Sequence, residues 1–163
     1  MFRFDEPFGS SLFCEDVRQE VGGQTSYIGV FRTTLAIPTF PLTIPKFTIA
    51  VTFNEPLEMA ENRDWEIPLK VFAPGDSPDK PVFSGILPVI SKGVLDEIKK
   101  SDLPEDYDVP KLVTTNAVIM ILSFTISQRG RIRVRAVYKD DHVVKLGSMR
   151  IDQGVAPPET GDS

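Results

Sequence analysis

Apolar and polar residues alternate with a period of two over much of this chain. The clearest run is residues 46–53, where every second position is apolar: Phe47, Ile49, Val51 and Phe53. The same period returns at residues 65–71 and at residues 131–138. Because successive side chains of a strand point to opposite faces, this pattern is typical of strands with one buried face. We predict three such strands, with Pro68 placing the second one at a sheet edge.

A longer apolar run covers residues 113–127 and contains Val118, Ile119, Met120 and Ile121 in succession. Apolar residues at both parities predict a strand whose two faces are both covered near its start. Shorter apolar segments predict further strands at residues 11–14, 24–32, 82–90 and 143–151. Between the first two, a two-residue hairpin turn at Gly22-Gly23 is expected, because glycine tolerates the positive φ that such turns need.

One short helix is predicted at residues 91–100, where Ser91 can cap the first turn and two lysines occupy the last. The other segments contain strands separated by turn residues, with no helices between them. This order favours an all-β fold, an antiparallel β-sandwich that is immunoglobulin-like or C2-like. We expect a single domain over residues 1–153 and a disordered, polar tail over residues 154–163.

Composition supports this fold class. Val, Ile and Thr together number 40 of the 163 residues, whereas Ala numbers 7. β-Branched side chains fit a pleated surface, and alanine is the best helix former. The 14 prolines fall mainly between the apolar runs. Proline has no backbone N–H to donate, so it separates strands and is not expected inside the hydrogen-bonded ladder of a central strand.

Compartment and membrane contact are predicted from the first residues and from the cysteine count. Acids and Pro7 stand where a signal peptide needs a basic start and an apolar run. The longest apolar stretch includes Thr114 and Asn116 and is too polar to cross a bilayer. A lone cysteine, Cys14, excludes an intramolecular disulfide framework and suits a reducing compartment. We therefore expect a cytoplasmic protein without a membrane partner.

The single histidine, His142, follows Asp140 and Asp141 and could serve as a general base or a metal ligand. Consecutive residues on a strand point to opposite faces, however, and aspartate is common in turns. The alternative is therefore an ordinary turn at the tip of a hairpin. Cys14 with His142 could form a nucleophile and base, but no glycine-rich elbow surrounds the cysteine. We predict no cofactor, no metal and no enzymatic activity.

The first predicted strand ends at Cys14, and charged residues follow it closely. Cys14, Asp16, Arg18 and Glu20 form a candidate binding cluster. Paired carboxylates can perform acid–base chemistry or hold a hard cation, so this group is a candidate small-molecule or enzymatic site. The alternative is a set of charge pairs, Asp16 or Glu20 with Arg18, that fixes a bend.

Basic residues concentrate near the C-terminal end. Residues 127–150 hold seven Lys/Arg and two acids, whereas residues 54–110 hold six Lys/Arg and thirteen acids. Within the basic block, a stripe of Arg131, Arg133 and Arg135 would share one strand face. The stripe is a candidate site for an anion or nucleic acid, although only Tyr138 offers an aromatic ring nearby. The alternatives are a solvated sheet face or a charged edge strand that blocks pairing with other chains.

Residues 12–31 read Leu-Phe-Cys-Glu-Asp-Val-Arg-Gln-Glu-Val-Gly-Gly-Gln-Thr-Ser-Tyr-Ile-Gly-Val-Phe. This segment resembles the start of a family of small, uncharacterised bacterial proteins, which begin with Phe-Cys-acid-Asp-Ile/Val-Arg-x-Glu. The resemblance implies a bacterial or phage source and a compact β domain. It implies no activity and no site residues.

These observations favour a non-enzymatic β-sandwich that functions in binding or assembly. The expected partner is another protein or a second copy of the chain. With a net charge of −5, the protein is not expected to be a general polyanion binder, and nucleic acid is the less favoured partner.

Overall fold

The computed structural model describes residues 5–100 and 111–154. Its strands are β1 (Phe8–Cys14), β2 (Asp16–Gln19), β3 (Thr25–Ile28), β4 (Thr34–Ile37), β5 (Leu42–Pro56), β6 (Ile67–Phe72), β7 (Phe83–Leu87), β8 (Leu112–Ile126), β9 (Gly130–Val137) and β10 (Val143–Gln153). Its helices are α1 (Leu57–Glu61) and α2 (Lys92–Lys100), and a 3₁₀ turn covers Lys139–Asp141.

The strands form two main sheets and one hairpin. The first sheet has the order β1-β5-β8, the second has the order β4-β10-β9-β6-β7, and β2 pairs with β3. Every pairing is antiparallel except β4 with β10. The apolar sides of the two sheets meet in one continuous core. The predicted all-β sandwich is therefore confirmed, and its finer assignment to an immunoglobulin-like or C2-like type stays a prediction.

The predicted alternation in β5 is confirmed. Phe47, Ile49, Val51 and Phe53 are all at most 1% exposed and face the core. Phe47 lies at the centre of an aromatic group, with its ring centroid 5.0 Å from that of Phe124 and 5.6 Å from that of Phe31. Burying one such side chain contributes roughly 1.5–3 kcal/mol, so this row is a major source of stability.

Strand β8 differs from its prediction. Ile119 faces the core, but Val118, Met120 and Leu122 point away from it and are at least half exposed. The expectation that both faces of this strand are covered is therefore wrong. The alternation also inverts at Ser123, which has a φ of 54°, so that Leu122 is exposed while Phe124 is buried.

Strand β6 is an interior strand, so the edge position predicted from Pro68 is wrong. It pairs with β7 on one side and with β9 on the other. The ladder with β9 begins at Leu69, and Pro68 therefore lies just outside it. A proline at this position breaks no hydrogen bond of that ladder, because its missing N–H is not needed there.

The remaining differences concern short elements. The predicted helix is confirmed as α2, whereas β2, β4 and α1 were not predicted. The β2–β3 hairpin closes through three residues instead of two: the Glu20 N–H donates to the carbonyl of Gln24, and Gly23 has a φ of 82°. The Gly154 N–H donates to the carbonyl of Ile37. The rest of the predicted tail, residues 155–163, lies outside the described residues.

Candidate functional site

The β2–β3 hairpin lies over one end of the outer face of the three-stranded sheet. Cys14 pairs with Thr48 across β1 and β5, and both are fully buried although they point away from the core. The Thr48 hydroxyl donates to the carbonyl of Glu15 at 3.0 Å, which ties the hairpin connection to β5. The hairpin thus encloses the cysteine of the predicted cluster.

Burial makes Cys14 a poor nucleophile. Desolvation raises the pKa of its thiol, and the nearby charge of Asp16 raises it further. A raised pKa keeps the thiol protonated at neutral pH, whereas the thiolate is the reactive form. His142 lines a cavity with Glu6 and Pro7, which precede β1, whereas Cys14 ends that strand. The length of β1 therefore lies between Cys14 and the residues that share the cavity of His142, so Cys14 and His142 do not form a catalytic pair.

The charged members of the predicted cluster are only partly brought together. Asp16 accepts hydrogen bonds from Lys46 and from Arg18, whose Nε lies 3.2 Å from the carboxylate. The hydrogen bond from Lys46, followed by that from Arg18, lowers the pKa of Asp16. Glu20 is exposed at the hairpin turn. The arrangement therefore contains the charge pair between Asp16 and Arg18 that the sequence offered as the alternative to a binding site.

His142 closes the turn between β9 and β10, where Asp140 and Asp141 both have positive φ, 56° and 59°. Its carbonyl accepts the N–H of Tyr138 at 2.7 Å. The adjacent cavity has a volume of about 560 Å³, and Trp65 lines it with the Lys139 ammonium 5.3 Å from the ring centroid. Among the described residues, no group of three or more His, Cys, Asp or Glu side chains is placed to hold a metal ion.

A buried polar network joins the two sheets, and we did not predict it. The Arg63 guanidinium donates two hydrogen bonds to Glu55, at 3.1 and 2.9 Å, and both side chains are almost fully buried. The Tyr138 hydroxyl donates to the same carboxylate at 3.1 Å. Burial raises the pKa of Tyr138 to about 12, and the charge of Glu55 adds to the effect. The available signal was Glu55 itself, an acid that continues the apolar parity of β5 beyond Phe53.

The part of the outer face of the three-stranded sheet that the hairpin leaves uncovered carries apolar side chains on β8. The charged residue beside them, Lys46 opposite Leu122, is ion-paired with Asp16. Val118, Met120 and Leu122 are 53%, 50% and 68% exposed. Val118 lies opposite Ala50 on β5, and Ala50 lies opposite Leu12 on β1, so the three residues form a row across the sheet. Ala50 and Leu12 are half-buried. We call this surface, from Leu12 to Leu122, the neutral face. A contiguous exposed apolar patch of this kind marks an interaction surface.

The outer face of the five-stranded sheet is cationic. As predicted, Arg131, Arg133 and Arg135 share one face of β9, opposite the buried Ile132 and Val134. Because β9 lies between β10 and β6, the alternative of a charged edge strand is wrong. We call this surface the cationic face.

No protein-family model, no curated protein sequence and no solved structure matches the chain. The family resemblance of residues 12–31 therefore stays a prediction. Within the residues that the structure describes, no helix combines the length and the apolarity needed to cross a bilayer.

Proposed function

We propose that this protein is a non-enzymatic assembly module that pairs with a second copy of itself through strand β8. The observation that carries the proposal is a long, uncharged strand at a sheet edge with apolar side chains on its outer face. The enclosed and protonated Cys14, far from His142, supports a role in binding over one in catalysis.

The edge of β8 lacks the features that normally prevent strand pairing. Within the described residues, β8 pairs only with β5, which leaves the backbone groups on its other side available. Its fifteen residues contain no charged residue and no proline. Exposed edges are usually shielded by lysine, proline, bulges or short length, and a long neutral edge is a template for another strand. Only Ser123, with its positive φ, interrupts the strand, so residues 112–122 form the pairing segment.

A second copy fits this edge better than a charged partner. The segment is neutral, and its polar residues on the neutral face, Thr114 and Asn116, lie opposite the uncharged Asn54 and Thr52 of β5. Two identical strands can pair antiparallel about a two-fold axis perpendicular to the sheet, which gives an isologous interface. This two-fold pairing joins the three-stranded sheets of two copies into one six-stranded sheet. It keeps the neutral faces of both copies on the same side of that sheet. In an antiparallel pair of residues 112–122 the axis passes through residue 117, so Val118 lies opposite Asn116 of the second copy and Met120 lies opposite its Thr114.

The oligomeric state tests this proposal. Light scattering coupled to gel filtration is expected to give twice the chain mass of 18.1 kDa at high protein concentration. Met120→Lys places a charge on the half-exposed stripe and is expected to give a monomer. Val21→Lys is the matched control, because Val21 is a fully exposed apolar residue at the hairpin tip, away from β8. A monomeric wild-type protein, or a dimer unaffected by Met120→Lys, would contradict the proposal.

Hydrogen exchange separates strand pairing from contact of the faces alone. Amides of residues 112–122 are expected to exchange more slowly as the protein concentration rises, because the free side of β8 becomes hydrogen-bonded in the dimer. The Met120→Lys variant is expected to show no such concentration dependence. Concentration-dependent protection confined to other segments would place the interface elsewhere and refute the assignment to β8.

A further inference from the structure

Six cationic side chains occupy the cationic face, on three neighbouring strands. They are Lys70 on β6, Arg131, Arg133 and Arg135 on β9, and Lys145 and Arg150 on β10. The strand register sets several of them directly opposite one another. Lys70 lies opposite Arg135, which in turn lies opposite Lys145, so that three positive charges form one row across the sheet.

This arrangement is unfavourable for the isolated chain. Like charges at directly opposite positions on neighbouring strands destabilise a sheet. Arg131 repeats the pattern, because it lies opposite Arg150. A sheet that keeps such pairs has a surface suited to an anion, which would remove the repulsion when it binds.

Few carboxylates neutralise these charges. Arg150 forms an ion pair with Asp152 at 2.7 Å, but in the described part of the chain the other five cations have no carboxylate within 4.0 Å. The Arg135 guanidinium instead donates to the carbonyl of Val134 at 2.8 Å and to that of Gly147 at 3.3 Å. Desolvation by burial lowers the pKa of Arg135, and the charge of Arg133 adds to this shift. Arg135 is thus a partly buried charge that an anion would stabilise.

An apolar row lies immediately beside the charged one. Ile86 and Val143, 55% and 48% exposed, stand at its two ends, and Val137 lies opposite Val143. A cavity of about 330 Å³ connects the two rows, since Lys70 and Arg135 line it together with both valines. Asp141 also lines this cavity. The site therefore offers positive charge and apolar contact to one ligand.

We infer that the cationic face binds an extended acidic segment of a polypeptide, in which carboxylates at alternate positions face the arginines and an apolar side chain at the next alternate position faces the apolar row. Side chains two residues apart on a strand are ~7 Å apart, so the arginines of β9 match alternate carboxylates of an extended peptide. Arginine and carboxylate can form two parallel hydrogen bonds. Nucleic acid fits less well, because single strands bind through exposed aromatic rings, whereas Phe72 is 8% exposed beneath the Arg133 guanidinium. This site is on the opposite side of the sandwich from β8 and does not depend on dimer formation.

Fluorescence anisotropy with a labelled peptide that carries Glu at three alternate positions and Val at the next alternate position tests the inference. Binding is expected to weaken as salt rises, because exposed charges are screened. Arg135→Gln is expected to weaken binding about tenfold, the loss of one charge-assisted contact. Lys92→Gln is the matched control, because it removes the same charge from an exposed position on α2. The same peptide with Gln in place of Glu is expected not to bind.

Each other outcome overturns the inference. Absence of peptide binding at low salt would leave the cationic face without this function. Equal loss in Arg135→Gln and Lys92→Gln would show a response to net charge and not a site. Tighter binding of a labelled oligothymidylate, sensitive to Arg135→Gln, would replace the acidic peptide by nucleic acid. Circular dichroism of both variants confirms that each is folded before the affinities are compared.

Discussion

The two outer faces of this sandwich differ completely although they cover the same core. The neutral face has no charged residue along β8, and its exposed apolar side chains on that strand are Val118, Met120 and Leu122. The cationic face sets Lys70, Arg135 and Lys145 in a single row. Both faces belong to strands whose inner residues are equally apolar, so the core does not determine what the outer positions carry. Outer positions of a sandwich are therefore where partner recognition can vary without altering the fold.

The two faces belong to one molecule only if the two sheets unfold as one cooperative unit. The substitution Arg63→Met is expected to have the largest effect on the stability of that unit. The substitution leaves Glu55 as a buried charge without its partner, which is expected to cost about 3–5 kcal/mol of unfolding free energy. Urea unfolding, followed by both fluorescence and circular dichroism, measures the loss. Both probes are expected to give one transition at the same midpoint.

The double variant Glu55→Gln with Arg63→Met is the control, and it is expected to recover part of the lost stability because no unpaired charge remains buried. Two separate transitions in the wild-type protein would show instead that the sheets unfold independently. The two faces would then belong to separate units.

Alkaline pH tests the same buried network, because the Tyr138 hydroxyl donates a hydrogen bond to Glu55. Its pKa is raised to about 12 in the folded protein, against about 10 in an unfolded chain. A group with a raised pKa contributes stability that is complete below the unfolded value and is lost as the pH rises through the folded value. Unfolding free energy is therefore expected to fall between pH 10 and 12. Absorbance at 295 nm follows the ionisation, and Tyr138→Phe is expected to flatten this part of the profile.

Lys145→Glu has the smallest expected effect on stability. It tests whether the row of cations on the cationic face takes part in recognition. It converts a repulsive pair with Arg135 into an attractive one, which is expected to add roughly 0.2–1 kcal/mol to the unfolding free energy. The same change is expected to weaken binding of the acidic peptide. Thermal unfolding and anisotropy measure the two effects on one sample. A variant that is more stable and still binds normally would show that the row of cations has no part in recognition.

Much of the fold followed from local pattern, whereas the pairing of distant segments did not. The parity of residues 46–53 in β5 was predicted because each inner residue of that segment is apolar, and each is buried. Strand β4 was not predicted, because its four residues are held by parallel pairing with β10, more than a hundred positions away. The position of β6 was also missed, because the sequence does not show that the β9 ladder stops before Pro68.

The candidate sites divide in the same way. The arginine stripe was visible in the sequence, since parity alone places Arg131, Arg133 and Arg135 on one face. Its neighbours Lys70 and Lys145 were not, because only strand register sets them beside Arg135. Cys14 and His142 looked like possible partners in sequence but lie near opposite ends of β1. The distance between residues remote in sequence depends on topology, which local pattern does not encode.

The sequence by itself determined the class of structure: a period of two in β-branched residues produces strands that must bury one face against another sheet. It also determined which side of β9 is charged. Only the tertiary structure decided that the outer face of β8 stays uncovered, that Glu55 meets Arg63 in the core, and that three cations align across the sheet. Those outcomes depend on which strands become neighbours, and strand neighbours are chosen by the burial of the whole core.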